Sequence, residues 1–261
     1  MNKKPTTTKK KADQYNDPKH NYLKYWHGRD YEHGAEEIAI RRMLKNLHFK
    51  NAVDIGGGYG RLCVLLEEFA DHVTLAEPSQ QQLDLAKEYL KGRKNIDQKL
   101  MQADDLKFKD GTVDLAIMVR VMHHLPDPSR EFAELNRILE KDGVLLLEMA
   151  NYAHGRNQIK HFLSGKRLPT EPVDIRSDAN KTEDEIAFVN HNPKTVIKQL
   201  AHAGFRVEKV LSVSNLRSPG LKKVMPRTMM LSVEKFLQPT LAKSYFGPSI
   251  FFFARKANGN K

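Results

Sequence analysis

The stretch Ala52-Val-Asp-Ile-Gly-Gly-Gly-Tyr-Gly-Arg-Leu62 sets the tightest limit on what this 261-residue chain can fold into. A short apolar run breaks into glycines at 56, 57, 58 and 60, and an apolar helical stretch follows at once. That order predicts a buried strand, a glycine turn and a helix. It is the unit with which an α/β sheet brings backbone against a nucleotide-like ligand. Glycine tolerates positive φ and leaves no Cβ in a ligand's way, at a cost in backbone entropy that a plain turn would not need four times over. The spacing reads G-x-G-x-G, not the G-x-G-x-x-G whose helix start holds a pyrophosphate. Asp54 sits two residues before the first glycine. A carboxylate there would repel a pyrophosphate and suits a ligand that ends in an ammonium group.

The rest of the chain repeats the strand-and-helix alternation. Strands are expected at 52–55, 72–76, 98–102, 113–119, 144–149, 205–213 and 249–254. Helices are expected at 22–47, 61–69, 79–90, 128–139 and 193–203. Such alternation implies a parallel sheet with helices on both faces. Val113–Val119 is continuously apolar, as a strand covered on both sides should be. Ser79, with Gln82 three residues on, reads as a capping box at a helix start. Residues 1–18 are expected to be a basic disordered tail, and 19–257 a single domain.

The net charge of +11 is spread between that tail, helix faces and the region from Arg156 to Arg176. No basic stripe interleaves with aromatics, so nucleic acid is an open but less favoured partner. The single cysteine, Cys63, leaves no internal disulfide and no cysteine metal cluster, and no metal is expected. No apolar run approaches a membrane span, and the Lys-rich start does not read as a secretory signal. A cytoplasmic location is expected.

Three further anchors follow the glycine loop. Glu77, beside Pro78, closes the second strand about twenty residues on, where a carboxylate takes both ribose hydroxyls of an adenosine. Dehydrogenases use the same device. Met101-Gln-Ala-Asp-Asp-Leu-Lys-Phe108 precedes the fourth strand. Met118-Val-Arg-Val-Met-His-His-Leu-Pro-Asp-Pro128 follows it, at the strand end where open sheets bind ligands.

These four segments in order resemble the class I S-adenosylmethionine-dependent methyltransferases, and among them the type 11, UbiE-like domain family. The resemblance covers residues 22–150. It implies a Rossmann-like seven-stranded α/β fold, a mostly parallel sheet with an antiparallel edge strand, and helices on both faces. It also implies S-adenosylmethionine as cofactor and S-adenosylhomocysteine as product. By the same resemblance Asp54 faces the methionine ammonium, and Gly56, Gly57, Gly58 and Gly60 lie along methionine and ribose. Glu77 and Pro78 then hold the ribose, and Val119 and Arg120 pass the methionine side. The family's adenine contacts fall on Gln102 and the Ala103 amide. Gln102 stands where the family usually has Asp, and Asp104 is a substitute for that contact. Tyr25-Trp-His-Gly-Arg-Asp-Tyr-Glu-His33 resembles the segment that covers the cofactor in the family. It offers Tyr25, Trp26, Arg29 and Tyr31 as contacts within a helical lid over about 19–48, or else as an aromatic-rich helix docked on the core.

His123 and His124 are the candidate catalytic pair, with at least one of them equally suited to holding the loop. Insertions at 151–186 and 215–246 are expected on the substrate side. The first is basic and the second Met- and Leu-rich, which suits a small hydrophobic acceptor bearing an anionic group. A core-docking or dimer face is the other reading for the helix near Met229–Leu237. The acceptor atom and the oligomeric state stay open. RNA or protein as the acceptor, an NAD(P)-dependent oxidoreductase, and a non-catalytic cofactor-binding or RNA-associated protein are the alternatives.

Overall fold

The apolar runs read above become the middle strands of one sheet in a computed structural model that describes residues 28–177, 181 and 186–257. The first half of the chain supplies α1 (Asp30–Leu44), β1 (Phe49–Ile55), α2 (Cys63–Leu66), β2 (Ala70–Glu77), α3 (Gln80–Tyr89), β3 (Ile96–Leu100) and β4 (Val113–Met118). After a 3-10 turn at Met122–His124 come α4 (Ser129–Ile138), β5 (Leu139–Ala150), α5 (Gly155–Leu163), β6 (Val173–Asp174) and β7 (Val189–Asn190). The chain then runs through α6 (Pro193–His202), β8 (Phe205–Val213), α7 (Pro219–Val224), α8 (Arg227–Thr240) and β9 (Ser249–Lys256).

The main sheet has seven strands in the order β3-β2-β1-β4-β5-β9-β8. The first five are mutually parallel. β9 runs antiparallel between β5 and β8 and makes the antiparallel edge. Side chains alternate across each strand, so each parallel strand feeds two cores. On one face Leu115, Leu146 and Phe253 pack with Ile40 and Leu44 of α1, Leu83 of α3 and Met230 of α8. On the other, Val53, Leu145 and Phe252 pack with Phe132 and Leu135 of α4 and Leu200 of α6. The register aligns Ile55 with Ala76 and with Met118, and Glu77 with Leu100. The carboxyl ends of β1, β2, β3 and β4 therefore form one crest, and the loops that leave them face one another.

Two elements differ from expectation for local reasons. The helix after the glycine loop spans only Cys63–Leu66. Its expected first turn is taken by tight bonds, Gly60 N–H to the Gly57 carbonyl and Cys63 N–H to the Gly60 carbonyl. The N-terminal helix begins at Asp30, and its expected portion before residue 28 lies outside the described residues. So do the tail at 1–18, Tyr25 and Trp26. A small two-stranded sheet, β6 with β7, was not expected within the first insertion.

Candidate cofactor site

The crest opens into a cavity of about 330 Å³. Gly56 and Gly58 come from the loop after β1, Glu77 and Pro78 from the end of β2, and Gln102, Ala103 and Asp104 from the loop after β3. Arg120 and His124 close it from the loop after β4. A narrow recess shares Gly56 and Arg120 with this cavity and is walled by Asp54, Gly57 and Val119. Gly56 has φ +64°, and a Cβ there would meet Val121 Cγ2 at 2.5 Å, so only glycine leaves this wall intact.

Gly60 stands apart from the other three glycines. It borders neither the cavity nor the recess. At φ +83° its missing Cβ makes room for Leu90 at 2.7 Å, so this glycine serves helix-to-sheet packing.

Asp54 is 1 % exposed and its one side-chain donor among the described residues is the Cys63 thiol at 3.5 Å. Burial pushes its pKa up to about 6, with Arg61 and the thiol pulling the other way. A cationic group in the recess would stabilise the ionised form. Glu77 is oriented at both oxygens. Oε2 accepts from the Gly58 N–H and Oε1 from the Ser79 N–H, each at 2.9 Å. A carboxylate accepts at about four sites, so these bonds are compatible with hydroxyl donors from a ribose.

Arg120 adopts φ +60° and borders the recess. Its N–H donates to Glu148 Oε2 at 2.8 Å and its Nε to Glu36 Oε1 at 2.6 Å. Glu36 also takes Arg61 Nη2 on its other oxygen. Burial pushes the Glu36 pKa up, but the two guanidiniums overrule it and hold the carboxyl below the usual range. The carboxylate thus fastens α1 across the loops after β1 and β4.

The two histidines part company. His123 does not border the cavity. Its ring centroid lies 3.9 Å from His124 and 4.4 Å from Phe188, and burial depresses its pKa well below the usual value. It packs the loop. His124 borders the cavity, and its Nδ1 lies 3.0 Å from the Ala187 carbonyl. A carbonyl only accepts, so Nδ1 donates and the neutral ring keeps its lone pair on Nε2. His191 holds the same turn from behind through the Met122 carbonyl at 2.9 Å.

Residues 53–147 match a family model described as a methyltransferase domain, type 11. Over these residues the chain is similar to a methyltransferase domain. The matched span contains Asp54, the glycine loop, Glu77, the Gln102–Asp104 segment and both histidines. An uncharacterized methyltransferase of Bacillus subtilis (strain 168), YcgJ, is 22% identical over 156 residues. The match covers 58% of this chain and 61% of that protein, less than two thirds of the relative's length. An S-adenosylmethionine-dependent methyltransferase from Thermotoga maritima superposes with a TM-score of 0.61 at 18% identity, over 90% of this chain and 95% of that one. One from Mesorhizobium loti gives 0.58 at 19%, over 85% and 97%. The fold is that of the class I S-adenosylmethionine-dependent methyltransferases.

The residues present fit S-adenosylmethionine. A glycine-walled cavity, a carboxylate at the end of β2 and a second, costly carboxylate under the adjoining recess suit a nucleoside joined to an ammonium group. Asp54, Gly56, Gly57, Gly58, Val119 and Arg120 would hold the methionine end. Glu77, Pro78, Gln102, Ala103 and Asp104 would hold the adenosine. Arg29 lies at the start of α1 and borders neither space. Tyr31 is buried, which favours the docked-helix reading of this segment. Its hydroxyl donates to Glu234 Oε2 at 2.7 Å and accepts from the Leu216 N–H at 3.0 Å, which anchors α8 to α1.

Sequence reasoning missed Glu36, Arg61, Gln82 and Glu131. Arg61 directly follows the glycine loop and carried a signal by position. Glu36 and Glu131 look like ordinary polar residues of amphipathic helices. Burial, with Asp104 and Asp127 adding to it, raises the Glu131 pKa at the cavity wall.

Proposed function

We propose that the protein transfers the methyl group of S-adenosylmethionine to a small-molecule acceptor that enters beside His124, Leu125 and Ile186. The supporting observation is that one partly open cavity is bounded both by the cofactor loops and by a histidine whose Nδ1 is pinned. When bound, the cofactor supplies a methyl on sulfonium that is already electrophilic. This chain's residues contribute position and dryness, which account for much of the rate in such transfers. Glu77 and Asp54 fix the two ends of the cofactor. His124 Nε2 suits the task of taking a proton from a phenol, an enol or an ammonium acceptor at neutral pH. Leu125 and Ile186 favour an apolar body, and Arg120 an anionic substituent.

A second reading, with RNA or an acidic protein as acceptor, draws on a broad groove of about 890 Å³ between α5 and α6. It is bordered by Lys166, Lys194, Lys198 and Lys243. Among the described residues no helix is long and apolar enough to cross a membrane, and a cytoplasmic setting is proposed with the cofactor. The test is label from methyl-tritiated S-adenosylmethionine in a cell extract. Transfer into the small-molecule fraction is expected, and transfer only into RNA or protein would favour the second reading. A lack of S-adenosylhomocysteine binding by calorimetry at high micromolar concentration would remove both.

A further inference from the structure

The side chain of Gln82 lines the cavity with both of its amide atoms unsatisfied by local structure. It is 1 % exposed, it borders the cavity, and among the described residues neither its amide nitrogen nor its amide oxygen has a hydrogen-bond partner. A buried, unsatisfied polar group costs about 1–3 kcal/mol. The reason it is unsatisfied is visible at the start of α3. Ser79 Oγ accepts from the Gln82 N–H at 3.2 Å, which is half of a capping box. In the complete box the Gln82 side chain would return to the Ser79 N–H. That N–H is already taken by Glu77 Oε1 at 2.9 Å. The expected box is therefore corrected to a half box, and the displaced carboxamide stands beside the carboxylate that displaced it.

We infer that Gln82 reads the adenine base of the cofactor at its N6/N7 edge, its carbonyl accepting from the exocyclic amino group and its NH₂ donating to N7. A carboxamide offers one acceptor and one donor side by side, the complement of an adenine edge. Gln102 is exposed and so is less able to exclude water from such a pair. The inference rests on the methyltransferase reading and concerns discrimination between bases, with no role in the transfer step.

The experiment is calorimetry of S-adenosylhomocysteine and S-inosylhomocysteine on the full chain and on Gln82→Met, with thermal melts of both apo proteins. Inosine carries a keto oxygen in place of the amino group. Wild type is expected to prefer the adenosyl ligand by roughly ten- to a hundredfold, the value of one good bidentate pair. Gln82→Met is expected to lose most of that preference while melting at or above the wild-type temperature, because a buried amide without a partner has become apolar. Gln82→Asn, which keeps the amide but withdraws it by one methylene, is expected to lose the preference too and serves if the Met variant does not fold. An unchanged preference in the variants overturns the inference and leaves the methyltransferase reading standing. A lower apo melt with unchanged preference makes Gln82 a packing residue and overturns it as well. Failure of wild type to bind either ligand sinks that reading and the inference together.

Discussion

The floor of the cofactor site and its cover hold their buried charges in opposite ways. In the floor, Asp54 sits under the recess with a thiol as its one described donor, and its pKa rises to about 6. In the cover, Glu36 of α1 is just as buried but meets two arginines, and its pKa falls. The floor is also local. Gly58 and Ser79 both bond to Glu77, within one βαβ unit. The cover is distant, with Tyr31 reaching Glu234 and Gln238 reaching the Ala35 carbonyl, each across 203 positions. The contrast teaches how to tell a ligand group from a structural one at equal burial. A buried charge left nearly alone waits for a partner from outside, whereas one that is doubly paired has its partner already.

The largest effect should come from Glu36→Ala. It leaves Arg61 and Arg120 without their shared carboxylate, and breaking a buried pair costs about 3–5 kcal/mol. For a chain of this size that lowers the melting temperature by roughly 6–20 °C. Scanning calorimetry at pH 7 checks it. Because the folded pKa of Glu36 is depressed, its contribution is present above the ordinary glutamate value and is lost as pH falls through the folded one. The wild-type melt should therefore approach that of the variant in acid. A variant that melts like wild type at pH 7 would erase the distinction between cover and floor.

Asp54→Asn should act with the opposite sign. A pKa of about 6 in the folded protein, against 3.8 for a free aspartate, corresponds to about 3 kcal/mol of cost once the group is ionised. The raised pKa stabilises the fold below the unfolded value, and that stabilisation is lost as pH rises through 6. Apo Asp54→Asn should melt above wild type at pH 8, and the gap should close toward pH 4. Calorimetry with S-adenosylhomocysteine at pH 8 should show at least tenfold weaker binding, since an amide does not pair with an ammonium as a carboxylate does. A variant that is both more stable and binds as tightly would assign Asp54 to strain alone.

The floor was legible in the sequence because its contacts follow from short motifs. Asp54, Gly56, Gly57, Gly58 and Glu77 border the two spaces from the ends of the neighbouring strands β1 and β2, so spacing carried the information. Even there, Gly60 packs against Leu90, thirty residues away, and only the packing reveals that contact. The start of β5 was hidden for another reason. Leu139–Ala150 begins with Glu140, Lys141 and Asp142, which are exposed and pass through an irregular register opposite β4, so no apolar alternation marks them. Glu36 was hidden most completely. A glutamate on an amphipathic helix looks solvated until Arg61 and Arg120 arrive from two other loops. The two arginines sit in the motifs, and their partner does not.

The smallest effect is the sharpest on the cover. Tyr31→Phe removes the hydroxyl that donates to Glu234 and accepts from Leu216, but it keeps the ring in the core. Glu234 retains the Ser214 and Asn215 N–H groups as donors, so its carboxylate is not abandoned. The loss should be about 1.5–3 kcal/mol, as for one buried hydrogen bond to a charged group. On thermal denaturation that is a fall of several degrees. Binding of S-adenosylhomocysteine should stay within about twofold of wild type, because Tyr31 faces α8 and borders neither the cavity nor the recess. If instead affinity drops by tenfold or more while the melt barely moves, Tyr31 belongs to the ligand. The cover would then be part of the floor, with α1 closing on the cofactor through this residue and not through Glu36.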